Sequence, residues 1–491
     1  MQNPIIFSDQ KLIERLQFEN PWWNQQSIPT VFKRMMRRKH FEVFYRFIQN
    51  KQFRRAVVLM GQRRVGKTVM LYHAIDQLME EGIDPNKILF IGIDNPIYSQ
   101  LSLQDLLDLF KSAQSLSTLE GSYIFFDEIQ YLKDWERHLK VMVDQYPEIK
   151  IIVSGSTAAV LQWHCSESGA GRFTDFMLPP FSFQEFLKLK NWPFHSPKSN
   201  TLEDEKKWFK EIKSHLEYLN KEFLQFIHFG GYPEFVLPIN HQFEPNSYLK
   251  NDIIDKVLLR DLPSLYGIND IQELYRFFSY LAYHTGKEFS YDKMSKESGI
   301  KKEHIKEYLT YLEAAYLIKV LHKINIHAKH MQQITNFKVY ITNPSLRTAL
   351  FSPIREKDVA MGYIVETAMI AQYLSVTNLN MHYARWKDGE VDLVFLDPLY
   401  KPYFASEIKW SNRSFNNPNS LKNLIEFCEQ NKIKQANVTT IDQIGFRQFN
   451  DIRLNFYPVS IYILMNDYLI MQSLIQKQEK SNLSNINHVL D

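Results

Sequence analysis

Cysteine is nearly absent from this chain. Two occur in 491 residues, Cys165 and Cys428, which excludes a disulfide framework and fits a reducing, cytoplasmic compartment. Long hydrophobic runs are absent as well: no apolar stretch approaches the roughly 18 residues of a membrane span. The opening MQNPIIFSDQKLIERL meets charge too early for a secretory signal. Charge of one sign is not in excess. Lys and Arg number 58 against 55 Asp and Glu, for a net +3, too mild to point to nucleic acid by itself and leaving room only for local basic patches. No internal repeat is visible. Glycine, at 16 residues, is scarce enough that a glycine-dependent motif has little chance of arising from composition alone.

What remains is an ordinary soluble, globular composition, 45% hydrophobic and 23% charged, in a chain longer than one core usually serves, so about three domains are expected. Residues 1–50 read as mostly helical and carry a basic cluster at Lys33, Arg34, Arg37, Arg38 and Lys39, either a solvated helix face or a phosphate-binding one. From 55 to about 180 the apolar runs RAVVLM, ILFIGID, YIFFDE and IKIIVSGS alternate with amphipathic stretches. That is the pattern of an α/β fold whose parallel sheet is covered on both faces. A polar, helical insert over 195–226 leads to the turn-rich FGGYPEF. Residues 270–325 read as helices ending in a strand. Beyond 336 the helix GYIVETAMIAQYLS precedes three strand-like runs, MHYARWK, EVDLVFLD and PYFASEIKW, with Asp388-Gly389 as a hairpin signal.

GQRRVGKT, residues 61–68, follows the run AVVLM and opens a helical pattern. Gly61 and Gly66 let the backbone of Gln62, Arg63, Arg64 and Val65 curl so that N–H groups face the phosphates of ATP. The helix start at Thr68 and Val69 adds partial positive charge. Lys67 places a point charge at the β- and γ-phosphates, and the Thr68 hydroxyl ligates Mg²⁺. SYIFFDEIQ ends an apolar strand in Asp127, for the Mg²⁺ shell, and Glu128, a general base, which points to hydrolysis rather than binding alone. Ser154 and Ser156 end the next strand, either sensing the γ-phosphate or capping a helix. Arg172, in GAGRF, is either an arginine finger, in cis or from a neighbouring subunit, or a surface residue.

In their order along the chain, GQRRVGKT, YIFFDEIQYLKDWERHLK, IIVSGSTAAVL, GAGRF, PPFSFQEFL and GGYPEF resemble a prokaryotic AAA+-type ATPase family. The C-terminal half of that family resembles a PD-(D/E)xK restriction-endonuclease core. The resemblance covers roughly residues 30–415 and is specific in the ATPase half. Its phosphate and acidic motifs fall on Gly66, Lys67, Thr68, Asp127 and Glu128, and its loop arginine on Arg172. The insert at about 190–220 departs from it. The organisation expected is a helical segment over 1–50, an AAA+-like P-loop ATPase domain over 51–240, a helical or winged-helix domain over 241–330, a restriction-endonuclease-like α/β domain over 331–475 and a polar tail over 476–491.

FSYDKMSKESGIKKEHIKEYLTYLEAAYLIKVLHKI reads as helix, glycine turn, helix and strand, with Lys302 to Glu313 as the second helix of a helix-turn-helix. Lys301, Lys302, His304 and Lys306 at its start either meet DNA phosphates or belong to a packing module. In GEVDLVFLDPLYKPYFASEIKW, Asp392 lies on one strand and Glu407 and Lys409 on the next. Spacing by two puts 407 and 409 on one face, and a hairpin turning near 396–402 sets Asp392 almost opposite Glu407. Glu366, in the preceding helix, completes the set, with Glu390 as a competing ligand. EVD and EIK match the nuclease-like motif, in which two carboxylates hold Mg²⁺ and a lysine stabilises or generates the attacking hydroxide. The bland alternative is charge alternating along an exposed sheet face. The expectation is an ATP-binding, ATP-hydrolysing protein that couples nucleotide state, through a lid near Gly230-Gly231, to a Mg²⁺-dependent nuclease-like domain acting on DNA. The alternative is a nucleotide-gated switch or scaffold whose degenerate nuclease domain binds protein or DNA. Self-association driven by ATP fits either; a membrane fits neither.

Overall fold

The computed structural model describes residues 7–50, 54–156, 171–194, 196–197, 201–236, 248–328, 336–374, 376 and 379–487, apart from the side chains at 235 and 477–487. Cys165 lies outside them. The chain divides into two units, Met1–Pro179 and Pro180–Asp491.

The first unit is built on strands β1 (Ala56–Gly61), β2 (Ile88–Gly92), β3 (Tyr123–Asp127), β4 (Lys150–Ser156) and β5 (Phe173–Met177), in spatial order β2-β3-β4-β1-β5. β1 to β4 are near-continuous apolar runs and are almost wholly buried, as strands covered on both faces require. Every pairing is parallel, so the loops after β1 and β3 emerge at one edge. Helices α1 (Asp9–Glu19), α2 (Phe41–Gln49), α3 (Lys67–Glu80), α4 (Leu103–Ala113) and α5 (Trp135–Gln145) complete the unit.

The N-terminal segment is integral to this unit rather than a separate piece. Asn20 mimics a strand partner for β2: its Nδ2 donates to the Phe90 carbonyl at 2.8 Å and its Oδ1 accepts from the Phe90 N–H at 2.6 Å. The Trp22 and Trp23 indoles both donate to the Ile88 carbonyl, at 3.0 and 2.9 Å. The open edge of β2 is thereby covered, which removes a template for stray pairing.

The second unit holds a nine-stranded sheet: β6 (Glu288–Ser290), β7 (Ile318–Ile324), β8 (Asn336–Ile341), β9 (Asn380–Trp386), β10 (Gly389–Leu396), β11 (Pro402–Glu407), β12 (Gln435–Thr440), β13 (Gly445–Phe449) and β14 (Ile452–Pro458), in order β13-β14-β12-β11-β10-β9-β7-β8-β6. β7 pairs antiparallel with β8 and parallel with β9, with His322 opposite His382. One sheet therefore runs through the boundary expected at 330. The helices are α6 (Phe183–Leu189), α7 (Leu202–Ser214), α8 (Leu216–Phe229), α9 (Ile271–Tyr283), α10 (Tyr291–Ser298), α11 (Lys302–Ala314), α12 (Met361–Tyr373), α13 (Lys422–Asn431) and α14 (Val459–Asn487). Phe183, Phe186, Trp208, Phe223 and Phe226 share one core with Met369, Val459 and Ile463. Residues 183–229 thus belong to the second unit, and the division falls at Pro180 instead of near 240. The polar tail expected from 476 continues as helix to Asn487.

Two glycine signals have other causes than the expected ones. Gly231 is a packed joint, not a lid: Phe181 N donates to its carbonyl at 2.8 Å, and a Cβ on it would lie 1.7 Å from Asn343 Nδ2. β9 and β10 do form a hairpin, but Gly389 sits opposite Trp386, where a Cβ would come within 2.2 Å of the indole; the turn itself is Lys387-Asp388. Among the described residues no helix is long and apolar enough to cross a membrane.

Candidate functional site

β1 ends at Gly61, where a Cβ would lie 2.6 Å from the Leu178 carbonyl oxygen. Arg64 (φ 66°) and Gly66 (φ 97°) then take left-handed conformations that swing the chain into α3. The buried Arg38 donates to the Val65 carbonyl at 2.5 Å and to Pro179 O at 2.8 Å, clamping the loop from behind. Gln62 is buried in the loop, Arg63 donates to the Tyr131 hydroxyl at 3.1 Å, and Val69 lies in the first turn of α3. The Lys67 ammonium, on a side chain only 4% exposed, donates to the Gly61 and Gln62 carbonyls at 3.1 Å each and stands 4.0 Å from Glu128.

Thr68 Oγ1 donates to Asp127 Oδ2 at 2.6 Å. Ser154 donates to the other Asp127 oxygen, and the Glu128 N–H lies 3.2 Å from both groups. Burial and the adjacent Glu128 push the Asp127 carboxyl up to about 6, against the hydrogen bonds from Ser154 and Thr68. A hydroxyl and a carboxylate this close form a hard-oxygen pair that fits Mg²⁺. Glu128 takes a left-handed conformation, φ 54°, which is uncommon for a residue with a side chain and clusters at functional sites. Gln130 holds its carboxylate, and Gln130 Oε1 accepts from Ser156 N at 3.2 Å. Ser154 therefore serves Asp127, while Ser156 reaches Glu128 through Gln130. An open cleft of about 930 Å³ adjoins Thr68, Tyr72, Asp127 and Glu128.

Arg172 is elsewhere. Its carbonyl accepts from Ala56 N at 3.0 Å, at the start of β1, and its guanidinium is held by Asp144 at 2.8 Å. The phosphate loop begins at the other end of that six-residue strand, about 17 Å away at roughly 3.3 Å per residue. That register removes a finger in cis; a finger for a neighbouring subunit and a surface arginine paired with Asp144 both fit it. Lys33 and Arg37 of the basic cluster are engaged within the unit too, Lys33 with Asp76 at 3.2 Å and Arg37 with Gln77 at 2.8 Å.

A second constellation lies in the second unit. The β10/β11 register, Leu393 opposite Ser406, brings Asp392 beside Glu407. Buried Asp392 accepts from the Ile408 N–H at 2.9 Å and from Lys409 Nζ at 3.0 Å, and Lys409 Nζ also meets Glu407 at 2.8 Å. Burial and Asp392 push the Glu407 carboxyl up to about 7, in spite of Lys409. For Asp392 burial acts upward, but the Lys409 and Lys338 ammonium groups override it and hold the carboxyl below its usual range. Glu366 does not join Lys409. It accepts from Lys338 Nζ at 2.9 Å and from the Tyr340 hydroxyl at 2.5 Å. Lys338 also lies 2.8 Å from Glu390 and 3.9 Å from Asp392.

Among the described residues no three Asp, Glu, His or Cys side chains are placed to share one metal ion. The space between Glu366, Glu390 and Asp392 is taken by an ammonium, so in this arrangement the residues do not fit a divalent metal. Sequence reasoning missed Lys338 and Tyr340; their only signal is spacing by two on an apolar strand. Gln130 and the role of Arg38 were missed as well. Of the basic group on α11, Lys302 pairs with Asp292, His304 with Glu273 at 3.2 Å, and Lys306 lies over the Tyr291 ring.

The strand order and the loop geometry define an α/β P-loop domain of AAA ATPase-like type, and an AAA domain model matches residues 53–187. A domain of unknown function, DUF8612, matches residues 220–357. The chain is 28% identical over 348 residues to the uncharacterized protein MJ1544 of Methanocaldococcus jannaschii, covering 69% of this chain and 71% of that one. It is 26% identical over 296 residues to an uncharacterized protein of Haemophilus influenzae, covering 59% and 68%. Among solved structures, Aeropyrum pernix ORC1 in complex with DNA aligns with a TM-score of 0.29 at 10% identity, over 63% of this chain and 91% of that one.

Proposed function

We propose that this protein binds and hydrolyses ATP at the first unit, in the cytoplasm, and couples nucleotide state to the carboxylate–lysine constellation of the second. The observation that carries the ATPase reading is the meeting of Lys67, Thr68, Asp127 and Glu128 at one edge of the β2-β3-β4-β1-β5 sheet. Lys67 and the N–H groups of the loop bind the phosphates. Thr68 and Asp127 would hold Mg²⁺, which when bound offsets charge on the β- and γ-phosphates. Glu128, oriented by Gln130, accepts the proton of the attacking water on a carboxylate oxygen. Arg172 serves a neighbouring copy in an ATP-dependent assembly. ATP turnover tests this. Lys67→Ala abolishes nucleotide binding, and Glu128→Gln keeps binding while slowing turnover by roughly 10²- to 10⁴-fold; undiminished turnover in Glu128→Gln removes Glu128 as the base.

The finer reading is a nuclease-like domain acting on DNA. It is supported by the meeting of Asp392, Glu407 and Lys409, and by the order α9-β6-α10-α11-β7-β8 with β6-β8-β7 pairing, which suits a winged helix. The other reading, a nucleotide-gated switch or scaffold, is favoured by Lys338 standing among the carboxylates. Incubating plasmid and linear DNA with Mg²⁺ or Mn²⁺, with and without ATP, separates them. Cutting that is lost in Asp392→Ala and Lys409→Ala supports the nuclease; no cutting under any condition supports the switch.

A further inference from the structure

We infer that the Lys338 ammonium is a built-in cation that takes the place of a divalent metal in the C-terminal carboxylate cluster and keeps that cluster from binding one. The inference concerns the same constellation as the nuclease reading but does not rest on cleavage.

The Lys338 side chain is 5% exposed and comes from β8, whereas its partners come from α12 and β10. It meets Glu366 at 2.9 Å and Glu390 at 2.8 Å, with Asp392 at 3.9 Å. An ammonium has three N–H donors and no acceptor, so it satisfies carboxylates arranged around it much as a metal would, at longer range. The cage is fixed from outside. Tyr340, two residues along the same strand, donates to the Glu366 oxygen that faces Lys338. Lys409 takes the far oxygen of Asp392, and Arg385 takes the second oxygen of Glu390 at 2.8 Å.

The carboxylates of the cage are already shared among three cations. Glu366, Glu390 and Asp392 surround Lys338, Asp392 and Glu407 share Lys409, and Glu390 shares Arg385 with Glu288, which stands 2.6 Å from the guanidinium. The buried Glu407 Oε2 has no hydrogen-bond partner among the described residues. A dication would therefore have to displace the Lys338 ammonium to reach the oxygens of Glu366, Glu390 and Asp392. Mg²⁺ would also have to draw oxygens to roughly 2.0–2.1 Å around a point next to an ammonium, and like charges a few ångströms apart in a mostly buried site repel strongly. The approach adds to this barrier. Lys338, Glu390 and Glu288 line an open cleft of about 430 Å³ that also carries Lys287, Lys293 and Arg385, so that cations outnumber carboxylates at the entrance a divalent cation would use.

The test measures metal occupancy on the full chain. Asp127→Asn first silences the P-loop metal donors. Free Mn²⁺ is then titrated by electron paramagnetic resonance, with and without Lys338→Met, which keeps side-chain length and removes charge. Lys338→Met is expected to bind Mn²⁺ at least about tenfold more tightly, and Lys338→Arg to behave like the parent. Equal Mn²⁺ affinity in folded parent and Lys338→Met overturns the inference. Should Lys338→Met fail to fold, the parent itself decides. Its Lys338 ammonium resonance, observed in isotope-labelled protein and assigned with Lys338→Arg, is expected to stay in place as Mg²⁺ is raised through the millimolar range, and displacement of that resonance overturns the inference. Absence of DNA cutting defeats the nuclease reading and leaves both of these outcomes unaffected.

Discussion

Asp127 is pulled two ways, and the conflict sets a pH dependence. Its carboxyl titrates near 6, above the ordinary 3.8, because it is buried and next to Glu128. Between about pH 4 and 6 the folded chain keeps a proton that the unfolded chain has lost, so this group's contribution to stability falls as pH rises through that window. Ligating Mg²⁺ requires the deprotonated form. The Mg²⁺ dependence of ATP affinity is therefore expected to weaken below about pH 6, at a midpoint moved downward by the metal's own charge, and to be flat with pH in Asp127→Asn. A second residue-scale expectation concerns Arg38. Arg38→Ala leaves the Val65 and Pro179 carbonyls without a buried cationic donor, costing about 2 kcal/mol and weakening ATP binding, since Val65 is part of the phosphate loop. Denaturant unfolding and nucleotide titration check both halves.

At the scale of elements, short-range signals were legible and long-range ones were not. The strand, loop and helix around 56–80 could be read because an apolar run, two glycines and a helix start are contiguous. The hairpin of β10 and β11 was legible for the same reason, and with it the nearness of Asp392 to Glu407. Gly230-Gly231 was misread. Two adjacent glycines suggest a hinge, but the demand comes from Asn343, more than a hundred residues away, which no local pattern announces. Gly231→Ala is expected to destabilise the protein by about 1–3 kcal/mol through that overlap, where a true lid would accept alanine at little cost; thermal unfolding distinguishes the two.

At the scale of the molecule there are two units with separate cores. Heating is expected to give two transitions. ATP at about a hundred times its dissociation constant should stabilise the first unit by about 2.7 kcal/mol, best seen in Glu128→Gln, where turnover is slow. The proposed coupling requires the second transition to move as well. A calorimetric scan in which ATP shifts only the first transition argues against any communication between the units.

The sequence by itself determined the phosphate loop and the acidic end of β3, because those sites are made of neighbouring residues whose backbone is dictated by glycine, apolar strand and helix start. Tertiary structure alone decided what surrounds them: Arg38 behind Val65, Gln130 on Glu128, the distance of Arg172 from the phosphate loop, and Lys338 inside the carboxylates. Each of these depends on strand register and on side chains from remote elements meeting in a buried space, and the energy of such a meeting leaves no local periodicity in the chain.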